Sequence, residues 1–311
     1  MICTVTLNTA VDRTIVLDRM EIGVTNRVRE SRIDPGGKGT DVSRVIVELG
    51  GETKALGFVA GESGHYLHQV LTHTYLVQTD FIWLEKQQTR TNTIIVDLES
   101  NQQTMLNEAG PIVDEISLNL MREKIRVQAK HCQYVVFAGS LPKGIPVDFY
   151  KEMIREVREA GAHPILDTDG DPLRLGLEAV PYLIKPNQEE ISRLLGREIK
   201  SRDEIVQAVK ELHAQGIQYV LVSMGGDGMI ATDGKECFHV RPPKIDLKSP
   251  VGCGDSVIGG FLVAHSAGQS FLDALKLGTA AGAATATMPG TQLCQRPDVE
   301  RLLPGVTVET L

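Results

Sequence analysis

The chain has 311 residues, of which 42% are hydrophobic and 23% charged, a balance that excludes extensive disorder and leaves room for a large α/β domain. Its formal net charge of −8 argues against a nucleic-acid surface and offers no long-range attraction to an anion, so an anionic ligand would need locally placed Lys and Arg. Cys3, Cys132, Cys237, Cys253 and Cys294 are odd in number and scattered, which reads as reduced thiols in a cytoplasmic protein rather than a disulfide framework or a zinc site. The opening ICTVTLNTAVDR lacks the basic region of a signal peptide. The uncharged stretch Leu277 to Gln295 is Ala, Gly and Thr with Pro289 inside; it is too weakly apolar to span a bilayer and reads as a closely packed helix.

In chain order, a strand from Ile2 to Leu7 ends at Asn8, and short extended pieces follow around Thr14 to Leu17 and Arg27 to Ile33. Pro35-Gly36-Gly37-Lys38-Gly39-Thr40-Asp41 then leads into a helix marked by Val42, Val45, Ile46 and Leu49, with Gly50 as its stop. A strand near Ala55 to Val59 and a helix near Tyr66 to Leu71 precede three extended segments, Asp80 to Leu84, Arg90 to Leu98 and Gln103 to Asn107. Strands in succession without helices predict an antiparallel excursion. From about Asp114 the rhythm becomes regular: helix to Gln128, strand Tyr134 to Phe137, helix Val147 to Ala160, strands Pro164 to Leu166 and Tyr182 to Ile184, helices Glu189 to Leu195 and Arg202 to Ala214, and strand Tyr219 to Val222. That βα alternation implies a mostly parallel sheet covered on both faces.

Ligands of such sheets bind beyond the carboxyl ends of the strands. The residues there are polar and glycine-rich: Asn8 and Asp12, Gly139 to Pro142, Asp167 to Gly170, Lys185 to Asn187, Ser223 to Gly228, and the turn before Asp255. The last belongs to SPVGCGDSVIGGFLVAHSAG, in which Gly252 and Gly254 bracket Cys253 and an apolar helical face starts at Val257. A glycine turn feeding a helix N-terminus presents unpaired N–H groups and the positive end of the macrodipole to an anion. The same residues also suit an ordinary turn with Asp255 as helix cap. No GxGxxG follows the first strand, and GGKGT lacks the spacing of a P-loop.

GGKGTDVSR and PVGCGDS resemble the two signatures of the ribokinase-like PfkB carbohydrate kinases. AGSLPKG at Ala138, KPNQEE at Lys185, SMGGDG at Ser223 and PGTQLC at Pro289 match in the same order, so the resemblance covers nearly the whole chain. TLNTAVD and the TRTN segment around Arg90 make it most similar to the branch that phosphorylates phosphosugars. The resemblance implies an α/β ribokinase-like, doubly wound, mostly parallel sheet over residues 1–311, with a small β-sheet lid from segments about 13–34 and 89–108. It implies ATP and Mg²⁺ as cofactors and transfer of the γ-phosphate to a phosphosugar hydroxyl, with fructose 1-phosphate favoured over tagatose 6-phosphate or fructose 6-phosphate. A free-sugar or nucleoside kinase of the same fold and a catalytically silent sensor are the alternatives.

On the same basis Asp255 is the expected base, and Gly252, Cys253 and Gly254 the cradle for the transferring phosphate. Asp12, Gly37, Lys38, Asp41, Arg90 and Ser140 are expected at the sugar phosphate, with Arg27 as a further cation. Lys185, Asn187, Ser223, Gly225, Gly226 and Gly228 are expected at ATP, and Glu190 at magnesium. Asn187 and Glu190 also have the spacing of a helix cap and its partner. A carboxylate with a pKa of ~4 is ionised at neutral pH and can take a hydroxyl proton while N–H donors and Mg²⁺ neutralise phosphoryl oxygens. The chain departs from the branch at Thr9, Asp41, Ser249-Pro250 and Cys253. The charge of Asp41 would repel a phosphosugar unless Lys38 or an arginine pairs with it. Cys253, a small apolar residue, should leave the turn intact. No nucleic-acid or membrane partner is expected; a second copy of the chain, paired lid to lid as a homodimer, is.

Overall fold

The predicted alternation folds into a mixed sheet of 11 strands and a separate sheet of four in the computed structural model, which describes residues 1–100 and 102–311. The strands are β1 (Ile2–Thr6), β2 (Ala10–Leu17), β3 (Glu30–Gly36), β4 (Thr53–Val59), β5 (Gln78–Thr79), β6 (Ile82–Trp83), β7 (Arg90–Asp97) and β8 (Gln102–Leu106). They continue with β9 (Tyr134–Ala138), β10 (His163–Asp167), β11 (Leu183–Ile184), β12 (Tyr219–Ser223), β13 (Met229–Thr232), β14 (Cys237–Arg241) and β15 (Thr307–Thr310). The helices are α1 (Lys38–Glu48), α2 (Gly61–Gln69), α3 (Glu115–Ala129), α4 (Phe149–Glu159), α5 (Gly170–Leu177), α6 (Gln188–Leu195), α7 (Arg202–Ala214), α8 (Cys253–Ser266), α9 (Phe271–Ala286) and α10 (Arg296–Leu302).

The large sheet runs β15-β14-β13-β12-β11-β10-β9-β1-β4-β5, with β6 also on β4. Pairing is parallel from β12 to β5 and antiparallel from β12 to β15. Period-two alternation sends Val135 and Phe137 of β9 into a layer with α3, α4, α5, α6 and α7. Tyr134, Val136 and Ala138 go into the opposite layer with α1, α8 and α9. The order of strands descends from β12 to β9 and then jumps to β1, which places a topological switch point between β9 and β1. A crevice opens beyond the strand ends at such a point.

The small sheet has the order β3-β2-β7-β8, antiparallel except for a parallel β2–β7 pair. Thus the excursion is antiparallel only in part. Asp80 to Leu84 does not belong to it: Ile82 and Trp83 pair parallel with Phe58 and Val59 on the edge of the large sheet. Helix α5 falls between the predicted strands Pro164 to Leu166 and Tyr182 to Ile184, where no element is predicted, because Gly170 and Pro172 mask eight helical residues; Pro in a first turn is compatible with a helix. The closely packed helix expected from Leu277 to Gln295 ends at Ala286, and a turn carries Pro289 and Gly290, whose φ of 62° no helix accommodates. Among the described residues no helix is long and apolar enough to cross a membrane.

Candidate active site

The turn before α8 is shaped by Gly252, the N-cap, whose φ of 77° is left-handed. A Cβ there would also lie 2.5 Å from Leu293 Cδ2, so conformation and space both demand glycine. Asp255 is the third residue of α8 and not its cap: its side chain accepts no cap hydrogen bond, and the Gly252 carbonyl instead takes the Ser256 N–H and hydroxyl, both at 2.9 Å. The cap reading is thereby corrected. Asp255 is only 8% exposed, and burial pushes its carboxyl up to about 6 while the ammonium groups of Lys38 and Lys185 pull against that rise. The Cys253 thiol, pushed by burial up to about 12, remains protonated at neutral pH and donates to the Ser249 carbonyl at 3.7 Å.

Beneath the turn, three charges converge from three elements. Asp167 ends β10, and Lys38 from the start of α1 reaches its Oδ2 at 3.1 Å. Lys185, just beyond β11, stands 3.5 Å from Oδ1. Burial would raise the Asp167 carboxyl, but the two ammonium groups overcome it and hold the acid below the usual range. Asp167 in turn is the main cause of the raised Lys38 value. Lys185 and Asp167 are buried while the Lys38 side chain is 40% exposed, and these two ammonium groups are the local cations that an anionic ligand needs on a chain of net charge −8. Lys185 Nζ lies so close to Gly254 that a Cβ would stand 2.9 Å from it. Lys185 therefore sits directly against the turn.

On the small-sheet side, Asp12 of β2 accepts from Asn92 Nδ2 of β7 at 2.8 Å, and burial raises its carboxyl although that bond opposes the shift. Arg44, one turn beyond Asp41 in α1, donates to Asp41 Oδ1 at 2.9 Å. It also donates to the Pro35 carbonyl at 2.9 Å and the Tyr75 hydroxyl at 3.1 Å, with its guanidinium 4.3 Å from the Tyr75 ring centroid. The anticipated repulsion from Asp41 is thus neutralised by an arginine, and Lys38 is engaged elsewhere. Arg90, at the start of β7, donates to the Asn8 carbonyl at 3.0 Å and the Glu108 carbonyl at 3.3 Å, and its buried Nε has no partner among the described residues. Asn8 after β1 donates to Ser140 Oγ after β9 at 3.2 Å, spanning the switch point. A cavity of about 610 Å³ opens there, lined by Asn8, Lys38, Arg90, Ser140, Asp169 and Glu190 among others.

The loops after β11 and β12 lie side by side, joined by a parallel bridge between Asn187 and Ser223 and by the Ser223 N–H on the Pro186 carbonyl at 3.0 Å. Asn187 caps α6, accepting from the Glu189 and Glu190 N–H groups at 2.9 and 2.8 Å, while Glu190 Oε2 accepts the Asn187 N–H at 2.8 Å. Both residues therefore serve as a capping box, leaving Glu190 Oε1 uncommitted. Added Cβ atoms at Gly225 and Gly226 would meet open space, whereas Gly228 packs on the backbone of Val240. Gly37 is the N-cap of α1, and Arg27 is exposed on the chain between β2 and β3.

The structure brings together Asp12, Lys38, Asp41, Arg90, Ser140, Lys185 and Asp255 from six separate segments. It adds Arg44 and Asn92, which the sequence reading did not single out, and gives partners to Asn8 and Asp167, which that reading named only as residues beyond strand ends. Arg44 had a signal, its i,i+3 spacing from Asp41, and Asp167 had one as the last residue of a strand. Comparison with known proteins gives a match of residues 5–298 to the model of the pfkB family carbohydrate kinases. The chain is 36% identical to 1-phosphofructokinase of Borreliella burgdorferi over 312 residues, covering 100% of this chain and 99% of that protein. It is 35% identical to 1-phosphofructokinase of Bacillus subtilis over 311 residues, with 100% of each covered. The solved structure of phosphofructokinase-2 from Escherichia coli in complex with substrates and products superposes with a TM-score of 0.91 at 28% identity, over 97% of this chain and 98% of that one.

Proposed function

The chain belongs to the pfkB family of carbohydrate kinases, and from that premise we propose that it transfers the γ-phosphate of ATP to the 6-hydroxyl of fructose 1-phosphate, giving fructose 1,6-bisphosphate. It is a phosphotransferase with a hydroxyl acceptor. Full-length identity of 35–36% to two 1-phosphofructokinases supports this acceptor. The observation that carries the chemistry is the buried Asp255 carboxylate, free of any cap bond at the mouth of a glycine turn. In the reaction the acceptor O–H proton passes to Asp255, the acceptor oxygen forms its bond to the γ-phosphorus, and the bond to the bridging oxygen breaks to release ADP. The N–H groups around Gly252, Cys253 and Gly254 receive charge on the phosphoryl oxygens, backed by Lys185 and Lys38.

In this reading Asp12, Gly37, Asp41 and Ser140 hold the sugar and Arg90 its phosphate. Asn187, Ser223 and the open Gly225-Gly226 turn, with Gly228 shaping it, face the nucleotide. Among the described residues no group of three or more His, Cys, Asp or Glu could hold a metal by itself. Mg²⁺ binds through one or two carboxylates, waters and substrate phosphates. Glu190, with one free oxygen, would orient such an ion, which would neutralise phosphate charge. The small sheet acts as a lid, and a second copy covers its outer apolar residues, Ile22, Val24, Val28 and Leu106. Five free thiols fit the cytoplasm. ATP turnover measured with fructose 1-phosphate, fructose 6-phosphate, tagatose 6-phosphate and fructose tests the proposal. The highest kcat/KM is expected with fructose 1-phosphate; a preference for unphosphorylated fructose, or no stimulated ATP consumption, would refute it.

A further inference from the structure

We propose that Gln103, on the outermost strand of the small sheet, is a positioning residue for the anion turn of α8, so that the turn is held in shape only while the lid is in place. The inference rests on the reading of that turn as the phosphate site. Strand β8 is exposed at Gln102, Thr104, Met105 and Leu106, and only Gln103 is half-buried. Its amide makes two contacts with the segment leading to the turn: Nε2 donates to the Lys248 carbonyl at 3.2 Å, and Oε1 accepts from Ser249 Oγ at 3.3 Å. Ser249 is 1% exposed and is the next link. Its hydroxyl oxygen accepts the Val251 N–H at 3.3 Å, and its carbonyl accepts the Cys253 thiol.

A serine hydroxyl has one proton and two lone pairs. With the proton directed to Gln103, a lone pair faces Val251, the residue before Gly252. Without that acceptor the hydroxyl turns to another partner and the Val251 N–H is released. On its other side the segment is fixed, because the Lys248 and Ser249 N–H groups both donate to the Ala286 carbonyl at the end of α9, at 2.8 and 3.3 Å. The small sheet touches the turn's support a second time through Thr291 Oγ1, which donates to Asp34 Oδ2 of β3 at 3.1 Å, while Leu293 packs against Gly252. Asp12, Asn92 and Arg90 belong to the same sheet, so the acceptor that settles it also settles the phosphoryl cradle. The consequence is a dependence of phosphoryl transfer, rather than of substrate affinity, on a residue of the lid.

The test is a double-mutant cycle read by steady-state turnover with ATP and fructose 1-phosphate. Gln103→Leu should lower kcat by about 5- to 30-fold through loss of two neutral hydrogen bonds, with KM for either substrate within about twofold. Gln103→Glu, which keeps the acceptor for Ser249 and loses the donor to Lys248, should give an intermediate loss. Ser249→Ala should match Gln103→Leu, and the double variant should lose no more than the worse single one. Losses that multiply, or a loss confined to KM for the sugar phosphate, overturn this inference alone. A wild-type chain without turnover, or Asp255→Asn with full turnover, overturns the proposed function and this inference with it.

Discussion

The floor of the site and its cover are built on opposite rules. Strands β1, β9 and β10 are buried almost throughout, and two acids beside them are compensated: Asp167, at the end of β10, by two lysines, and Asp41, in α1, by Arg44. In the small sheet β8 is exposed at four of its five positions, and Ile22, between β2 and β3, is 94% exposed. Burial is costly for charge unless the charge is paired, and at Asp255 it opposes ionisation against the pull of Lys38 and Lys185. The cover buries Val11, Leu17 and Ile94 and leaves the apolar Met105 and Leu106 of β8 exposed. The floor thus holds Asp255 and the lysines around it, while the cover brings Asp12, Asn92 and Arg90 to the cleft and reaches the segment before the turn through Gln103.

The largest effect expected is on the floor. Asp255→Asn keeps the shape of the residue but removes proton acceptance, so kcat should fall by on the order of 10² to 10⁴ with ATP binding, measured by calorimetry, nearly unchanged. Wild-type kcat/KM should rise with pH through about 6, where Asp255 ionises, and this limb should be missing from the residual activity of the variant.

A smaller effect is expected at the junction with the cover. Arg90→Ala should lower kcat/KM for fructose 1-phosphate by about one to two orders of magnitude, since charge-assisted bonds contribute roughly 1.5–3 kcal/mol each. KM for ATP should barely change. Arg90→Lys should recover only part, because an ammonium cannot hold the Asn8 and Glu108 carbonyls and a phosphate with one planar fork. Full activity of the alanine variant would break the division between floor and cover.

On the outer side of the cover, light scattering should return the mass of two chains for the wild type and of one for Ile22→Asp, with turnover reduced by no more than about tenfold because the floor is untouched. A wild-type mass of one chain would remove the second copy from the account.

The smallest effect is on stability, and its sign separates two acids of the floor. Asp255 has a folded pKa of about 6 against an ordinary 3.8, so its contribution is fully present below about 4 and lost as pH rises through 6. Asp255→Asn should therefore be more stable than wild type at pH 8, by about 1–3 kcal/mol, with the gain gone at pH 4. Asp167, held below 3.8 by Lys185 and Lys38, contributes the other way: its stabilisation is present above the ordinary value and fades as pH falls, so Asp167→Asn should destabilise at pH 8. Urea unfolding at both pH values measures each difference.

The sequence by itself determined what is local. Glycine before an apolar 3.6-residue period announces a helix N-terminus whether it is met at Gly37 or Gly252, and Asn187 with Glu190 announces a capping box, because those signals depend only on neighbours a few residues away. Helix α7 is found over Arg202–Ala214 as its pattern predicts. Only the tertiary structure decided the rest. Asp80 to Leu84 is legible as extended, but its parallel place beside β4 is not, and the antiparallel strands β13, β14 and β15 fall outside the predicted elements. Lys185 looks like any lysine after a strand until β10 and β11 pair and set it against Asp167 and Gly254. Whether Asp255 was a cap or a free carboxylate was likewise undecidable locally, since the same Asp after the same glycine serves either role. Burial under Lys38 and Lys185, charges brought from distant parts of the chain, set its state.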